Sequence, residues 1–282
     1  MSNTRTPSFV AQEFGLVSCL WRRELLRVVK ERSRWAGALA QPLFFWLIIG
    51  SGMAKTFRIP GLESVSALQF FFPGMLAMII LFATIFGTIS IVEDRAQGFL
   101  QAVLVAPGSR FALISGKVLG VTSLAVIQVG LFALLAPAAG FPVASVRWVV
   151  LAALCVLAGI GLTAMNFTVA WILNSVQGYH AVMGIVLFPL WFLSGAMFPR
   201  SDGALGIAMS LNPMTYLVDG LRAALSPLAI GPRAASLPVV FAALAVYAFL
   251  MLALATWICR RKADPRGRRK GFATGARKVG AA

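Results

Sequence analysis

Long apolar runs, interrupted only by short polar segments, restrict this chain to very few architectures. Hydrophobic residues make up 59% of it and charged residues only 12%, about half the charged share of a soluble domain. Backbone polar groups in lipid must be satisfied within a helix or a closed barrel, and these runs are continuous rather than alternating. We therefore predict an all-α polytopic membrane protein with six transmembrane helices. The predicted spans are residues 36–54, 70–92, 118–139, 148–173, 179–198 and 237–259.

Residues 9–35, which precede the first span, have the pattern of an amphipathic helix. At 100° per residue the apolar and basic side chains fall on opposite faces. The apolar face holds Phe14, Val17, Trp21, Leu25 and Val28, and the basic face holds Arg23, Arg27, Lys30 and Arg34. This pattern predicts an interfacial helix whose basic face binds the phosphates of membrane lipid.

The basic residues predict which side of the membrane each segment faces. With six spans both termini lie on one side, and that side carries 19 of the 25 Lys and Arg residues. The bias places both termini in the cytoplasm, with residues 260–282 as a basic cytoplasmic tail and residues 199–230 outside. Because the charge of +16 is concentrated at the two ends, we expect lipid rather than nucleic acid as its partner.

The sequence lacks the groups that an enzyme or a self-powered pump needs. The nearest match to a phosphate-binding loop is Gly116-Lys117, but Phe111 and Val118 stand where Gly and Ser or Thr are required. Three separated cysteines and the single His180 predict no metal site. We expect a chain that binds no cofactor and is not an enzyme. A passive channel or ion-coupled carrier stays an alternative, although the predicted spans hold no charged residue.

Two segments outside the spans suggest specific roles. Residues 93–106 begin with a charge cluster, continue with apolar positions that include Phe99 and Val103, and end at Pro107-Gly108. The alternative is an ordinary loop that contains a capped helix. Because apolar side chains on a short helix in water need a partner surface, we predict that it docks into another protein.

The second segment follows span five. The apolar run 179–198 reaches Gly195 and Pro199, and a further apolar run that is too short to cross the membrane begins after Asn212-Pro213. Pro at the first helical position favours a helix start there. We expect this break to lie near whatever the protein moves or binds.

Three groups of residues resemble the membrane subunit of type-2 ABC exporters, the family of drug-resistance and nodulation-type lipo-oligosaccharide permeases. They are residues 188–199 with 212–222, Pro73-Gly74, and residues 93–98 with Pro107, Arg110 and Gly116-Lys117. The resemblance implies one ABC-2 type domain over residues 1–259. It implies a permease in the bacterial cytoplasmic (inner) membrane that exports an amphipathic or lipid-linked substrate, either a drug or a lipid-linked saccharide.

The same resemblance implies the partners and site residues. The permease would pair with a second copy and with two ATP-binding subunits that hold ATP and Mg. Residues 93–106 would be the coupling helix, with Glu93, Asp94, Arg95, Gly98, Phe99, Val103 and Pro107 coupling to the ATPase. Residues 199–230, between spans five and six, would be re-entrant helices that act as a lid over the external end of the pathway. This external gate would comprise Gly195, Pro199, Asn212, Pro213, Tyr216, Asp219 and Arg222.

Four further residues are candidates for lining the pathway: Asn166, Phe188, Trp191 and Phe192. Each has a competing interpretation. Asn166 fits an interhelical hydrogen bond, and the aromatic residues fit ordinary packing of an apolar span. Substrate identity stays open at this point.

Overall fold

A computed structural model describes residues 9–30, 32–53, 65–98, 109–226 and 234–261, and all regular structure in those ranges is helical. The α-helices are α1 (Phe9–Lys30), α2 (Arg32–Gly52), α3 (Ala67–Ala96), α4 (Arg110–Ala133), α5 (Trp148–Ile172), α6 (Val176–Trp191), α7 (Gly203–Leu211), α8 (Pro213–Leu225) and α9 (Leu237–Arg261). A short 3₁₀ turn (Val143–Ser145) precedes α5, and a π-helical turn (Phe192–Ala196) continues α6.

Serine side chains define the starts of three span-length helices. Ser66 begins α3 in a capping box, in which its hydroxyl accepts from the backbone of Gln69 and its own N–H donates to the Gln69 side chain. The hydroxyls of Ser109 and Ser175 cap α4 and α6 in the simpler way. The cap at Ser109 shows that the third predicted span, residues 118–139, corresponds to a helix that begins at Arg110 and ends in turns after Ala133.

Within the described ranges, five segments are long and apolar enough to cross a membrane: Ala67–Ala96, Arg110–Ala133, Trp148–Ile172, Val176–Ala196 and Leu237–Arg261. The chain is therefore a multi-pass membrane protein by length and composition. The apolar part of α2, Gly37–Gly52, is shorter. It extends over about 24 Å at 1.5 Å per residue, less than a hydrocarbon core of about 30 Å. The sixth span, predicted at 36–54, stays a prediction.

One end of the helix bundle, which we call the α1 end, collects the segments predicted to be cytoplasmic. There the Glu13 side chain of α1 accepts a hydrogen bond from the Ser109 backbone N–H at 2.7 Å. Arg110 of α4 donates to the carbonyl oxygen of Cys259 near the end of α9 at 3.0 Å. These contacts join α1 and the ends of α4 and α9 in one layer.

The opposite end, the α8 end, collects the segments predicted to be external. The Gln69 amide donates to the Gly140 carbonyl at 2.8 Å, and the Arg147 N–H donates to the Ala224 carbonyl at 2.7 Å. The indole N–H of Trp46 donates to the Leu68 carbonyl at 2.9 Å, so α2 also reaches this end beside the start of α3. This grouping agrees with the predicted pairing of segments, while the end that faces the cytoplasm stays a prediction.

Candidate functional site

At the α1 end, α1 packs closely on α4 because α4 presents two glycines one helical turn apart. A Cβ added at Gly116 would lie 2.8 Å from Leu20 Cβ, and one added at Gly120 would lie 2.6 Å from Glu24 Cβ. Small residues at this spacing let two helix backbones approach each other. The N-terminal helix is thus attached to a span-length helix along one face, while Phe14 on its outer side is 74% exposed.

The close approach buries an ion pair. The Glu24 carboxylate lies 2.6 Å from Lys117 Nζ, with side-chain exposures of 4% and 7%. Lys117 also donates to the hydroxyl of Ser90 on α3, so one ammonium joins α1, α3 and α4. We expected no charge inside a span, and Lys117 departs from that expectation because the predicted span began at residue 118, eight residues after the helix begins at Arg110.

Two arginines of α1 bind the acidic last turn of α3. Arg23 forms a bidentate pair with Asp94, at 2.8 and 3.1 Å. Arg27 contacts Glu93 Oε2 at 2.5 Å and Asp94 Oδ1 at 3.3 Å. Bidentate guanidinium–carboxylate pairs are strong and geometrically specific. The prediction that the Arg23 and Arg27 side chains face lipid phosphates was wrong, because these carboxylates bind them. We call Arg23, Glu24, Arg27, Glu93, Asp94 and Lys117 the α1-end charge network.

Only some of the predicted coupling residues lie within the part of the chain that the structure describes. The helical segment predicted to start at 93 does not start there, because Glu93, Asp94 and Arg95 lie in the last turn of α3. The arginines of α1 neutralise its acidic groups, which would otherwise be unfavourable at a helix C-terminus. Gly98 follows with φ of +76°, a conformation that glycine adopts readily. Phe99, Val103 and Pro107 lie outside the described residues.

Arg95 fixes the connection between α5 and α6. Its guanidinium donates to the carbonyls of Trp171 and Leu173 at 2.8 and 2.9 Å and lies 5.3 Å from the Trp171 ring. These carbonyls are at the C-terminus of α5, where they lack intrahelical donors. The segment that precedes residue 99 is therefore attached both to α1 and to the turn before α6.

Between α3 and α6 the structure holds a groove with a cavity volume of about 210 Å³, which we call the α3–α6 groove. Its lining is almost entirely apolar. The lining residues are Met78, Leu81, Phe82, Ile85 and Phe86 of α3, with His180, Met183, Gly184, Leu187, Phe188 and Trp191 of α6. Apolar concave sites with few polar groups are typical ligand sites.

Of the four candidate pathway residues, two line this groove. They are Phe188, which is half-exposed, and Trp191, which is buried and donates its indole N–H to the Gly74 carbonyl at 2.9 Å. Phe192 packs on Phe188 with ring centroids 5.0 Å apart. Asn166 is not among the lining residues. Its amide donates to the Thr84 hydroxyl at 3.0 Å in a fully buried contact between α5 and α3, as the interhelical interpretation predicts.

At the α8 end, Arg222 holds the π-helical turn in place. Its guanidinium donates to the Gly195 carbonyl at 2.7 Å and lies 4.6 Å from the centroid of Phe70. Gly195 has φ of +80°, so the chain reverses direction at a residue without a side chain. Burial lowers the pKa of Arg222 to about 10, which leaves the guanidinium charged at neutral pH.

Asp219 connects three segments at the same end. Its carboxylate lies 2.7 Å from Arg200 Nη2, and it accepts a hydrogen bond from the Ala235 N–H at 3.0 Å. Burial raises the pKa of the Asp219 carboxyl, and the Ala235 N–H and the two arginines oppose that rise. We call Gly195, Arg200, Asp219 and Arg222 the α8-end network.

The predicted helix restart at Asn212-Pro213 is confirmed. The Asn212 side chain accepts from the Met214 N–H at 2.9 Å as the cap of α8, and its amide donates to the Leu190 carbonyl at 2.6 Å. Tyr216 donates to the Ser210 carbonyl at 2.8 Å, whereas Pro199 is exposed. With 13 residues, α8 extends over about 20 Å, so it is too short to cross a bilayer.

Sequence reasoning missed Glu24, Lys117 and Arg200 as members of these sites. Glu24 has no distinct signal within α1, because Glu13 lies about 20° from it on the same side of the helix, but the Gly116–Gly120 spacing marks where α1 packs. Arg200 directly follows Pro199 and offers no local signal of its partner, which is 19 residues away in α8.

Comparisons with known proteins identify relatives of the chain. The sequence model described as "ABC-2 type transporter" matches residues 15–226. The chain is 28% identical over 226 residues to transport permease ycf38 of Cyanophora paradoxa, covering 78% of this chain and 77% of the relative. It is 26% identical over 254 residues to nodulation protein J of Rhizobium meliloti (strain 1021), covering 87% of this chain and 93% of that relative. The matched range contains both charge networks and the α3–α6 groove.

Proposed function

This chain belongs to the ABC-2 type transporter family, and we propose that it is the permease subunit of an ATP-driven exporter. In this proposal two copies of the chain assemble with two separate ATP-binding subunits, which hold ATP and Mg. The complex lies in the bacterial cytoplasmic membrane with both termini of the permease in the cytoplasm. The cargo is an amphipathic or lipid-linked molecule, such as a drug or a lipid-linked saccharide.

The observation that carries the proposal is the α1-end charge network, two of whose residues, Glu93 and Asp94, lie at the end of α3 shortly before residues 99–107. Salt bridges join the end of α3 to α1 at Asp94 and Glu93, and Arg95 joins it to the end of α5. A partner that pushes on the following segment would therefore move α1, α3 and the α5–α6 turn together. ATP-driven closure of a partner needs such a rigid unit, because force is transmitted only through packed elements with discrete arrangements.

The α3–α6 groove supports an apolar cargo. Its lining offers aliphatic and aromatic side chains from two helices, and one of these helices, α3, is part of the rigid unit. Movement of this unit would therefore be transmitted to the lining of the groove. At the α8 end, the reversal at Gly195 and the short helices α7 and α8 fit a lid over the exit of the pathway.

An ion-coupled carrier would place a functional ionisable group inside a span. The Glu24–Lys117 pair is such a group by position, but its atoms are engaged with one another and with Ser90. None of the three residues lines the groove. These contacts support a structural role for the pair, and the proposed energy source remains ATP.

The docking part of the proposal is tested by co-purification. The tagged permease is expressed with an ATP-binding subunit, and Phe99→Asp and Val103→Asp are compared with Val143→Asp. Val143 is exposed at the α8 end, so its variant adds the same charge far from the docking segment. We expect the first two variants to lose the ATP-binding subunit while the permease keeps its elution volume, and Val143→Asp to retain it. Retention by all three variants would refute the docking assignment.

A further inference from the structure

His180 is the one lining residue of the α3–α6 groove with an ionisable side chain. It lies about one turn after the start of α6, at the end of the groove nearer the α1 end, and its side chain is exposed. Its ring forms T-shaped pairs with the rings of Phe86 and Tyr179, with centroid distances of 6.4 and 6.2 Å. Within the described part of the chain it forms no hydrogen bond.

The neighbouring polar groups, in contrast, are engaged. The Tyr179 hydroxyl lies 2.6 Å from the Thr88 hydroxyl, and the Trp191 indole N–H at the other end of the groove donates to Gly74. The imidazole of His180 is therefore the available hydrogen-bonding group that a molecule in the groove would meet. An imidazole always offers at least one N–H donor and offers two when it is protonated.

The groove lining holds nothing that would balance a cationic headgroup. None of the six acidic residues in the described ranges lines it. Five of them are bound elsewhere in the protein: Glu13, Glu24, Glu93, Asp94 and Asp219. A cationic headgroup beside His180 would find no carboxylate in the lining, whereas an anionic headgroup would accept a charge-assisted hydrogen bond.

The dimensions favour a single apolar tail. From His180 to Trp191 the groove follows α6 for about 16 Å at 1.5 Å per residue, the length of a medium-length alkyl chain. Its volume of about 210 Å³ is below the ~300–1,000 Å³ of sites for drug-sized ligands. Two acyl chains side by side would need a wider site.

We propose that the α3–α6 groove binds the tail of a single-tailed amphipath and that His180 binds its anionic headgroup, a phosphate or carboxylate. The assignment rests on the proposed export function and specifies the cargo for the same site. His180 would then be a specificity-determining residue, which selects anionic over cationic amphipaths as they enter from the α1 end.

Binding of three probes with one tail tests the assignment. The full chain in phosphatidylcholine nanodiscs is titrated with dodecyl phosphate, dodecyl maltoside and dodecyltrimethylammonium, and uptake by empty nanodiscs is subtracted. We expect dodecyl phosphate to bind at least about tenfold more tightly than dodecyltrimethylammonium, since a hydrogen bond to a charged group contributes about this factor. His180→Leu should abolish the preference, and His180→Gln should keep part of it because its amide retains a donor.

Two variants serve as controls. Gln177→Leu removes an exposed polar group from the same end of α6 outside the groove lining and should leave all three affinities unchanged. A Cβ at Gly184 meets no atom within 4 Å, so Gly184→Leu should fold, fill the groove and weaken all three probes.

Equal affinities in the native chain and in His180→Leu would overturn the headgroup assignment. Binding that is insensitive to Gly184→Leu would overturn the groove as the site. Complete displacement of dodecyl phosphate by phosphatidic acid would overturn the cargo assignment and would indicate that the groove binds a resident bilayer lipid. Disulfide cross-linking of Met183→Cys between two copies, with no probe bound, would assign the groove to a permease dimer interface. Because no ATP-binding subunit is present, these outcomes are independent of whether ATP drives transport.

Discussion

The buried pair of Glu24 and Lys117 leads to the sharpest prediction about stability. Replacing Lys117 by Met leaves a carboxylate that is 4% exposed without its ammonium partner. Removing one member of a buried ion pair typically costs about 3–5 kcal/mol, whereas replacing both by apolar residues of similar volume is often neutral. We therefore expect each single substitution to destabilise the chain strongly and the double substitution Glu24→Met/Lys117→Met to restore most of the loss.

The structure also predicts which single substitution costs more. Without Lys117, Glu24 still has Arg23 Nη1 at 3.7 Å. Without Glu24, the direct contact left to Lys117 Nζ among the described residues is the neutral hydroxyl of Ser90. The loss in free energy of unfolding should thus be about 3 kcal/mol for Lys117→Met, near the lower end of the ~3–5 kcal/mol range, and should be nearer the upper end for Glu24→Met.

The assay is the free energy of unfolding of the purified chain in mixed micelles, from titration with sodium dodecyl sulfate followed by far-UV circular dichroism. Leu119→Met, at a partly exposed position of α4, is the matched control and should change the free energy of unfolding by no more than about 0.5 kcal/mol. Additive effects in the double variant would refute the reasoning, because they would mean that the two charges do not stabilise each other.

Three further predictions concern contacts elsewhere in the bundle. Gly195→Ala should lower the free energy of unfolding by about 1–2 kcal/mol, because the φ of +80° at this position is unfavourable for a residue with a Cβ. The control Gly130→Ala, at a position with open space around it, should not lower it. Equal effects of the two substitutions in the same titration would contradict the conformational argument. Arg222→Gln should lower the free energy of unfolding by about 2–3 kcal/mol because the Gly195 carbonyl loses a charged donor. Limited proteolysis should then cut the chain faster near residues 199–203. An unchanged cleavage rate would contradict the proposal that Arg222 stabilises the π-helical turn. Tyr179→Phe should cost about 1 kcal/mol by removing the contact with Thr88, and no loss in thermal unfolding would show that this hydrogen bond contributes nothing.

The apolar runs and the helix restart at Asn212 could be predicted because both are local. A run of some 20 apolar residues has few alternatives in lipid, and an Asn-Pro pair both caps a helix and occupies its first turn. The members of the α8-end network that were predicted, Gly195, Asp219 and Arg222, were implied by the family resemblance and not by such local rules.

The partners themselves could not be predicted, because they are distant in sequence. Arg23 and Arg27 form a basic face by helical periodicity, and nothing near them in sequence indicates that Asp94, some 70 residues later, lies against that face. The rotation of α1 depends on Gly116 and Gly120 of α4, whose lack of side chains admits Leu20 and Glu24. The end of α3 was misplaced for the same reason, since its acidic last turn is stabilised by arginines of another helix.

Transport in inside-out vesicles tests most directly whether this chain is a permease driven by a separate ATPase. Radiolabelled dodecyl phosphate is added to the medium outside vesicles that contain the chain with its ATP-binding subunit. Its accumulation inside the vesicles is measured with ATP, without ATP, and with a partner subunit that binds but does not hydrolyse ATP. We predict accumulation that requires both hydrolysable ATP and the active partner. Equal accumulation without ATP or without the partner would contradict the account and would indicate a channel or an ion-coupled carrier.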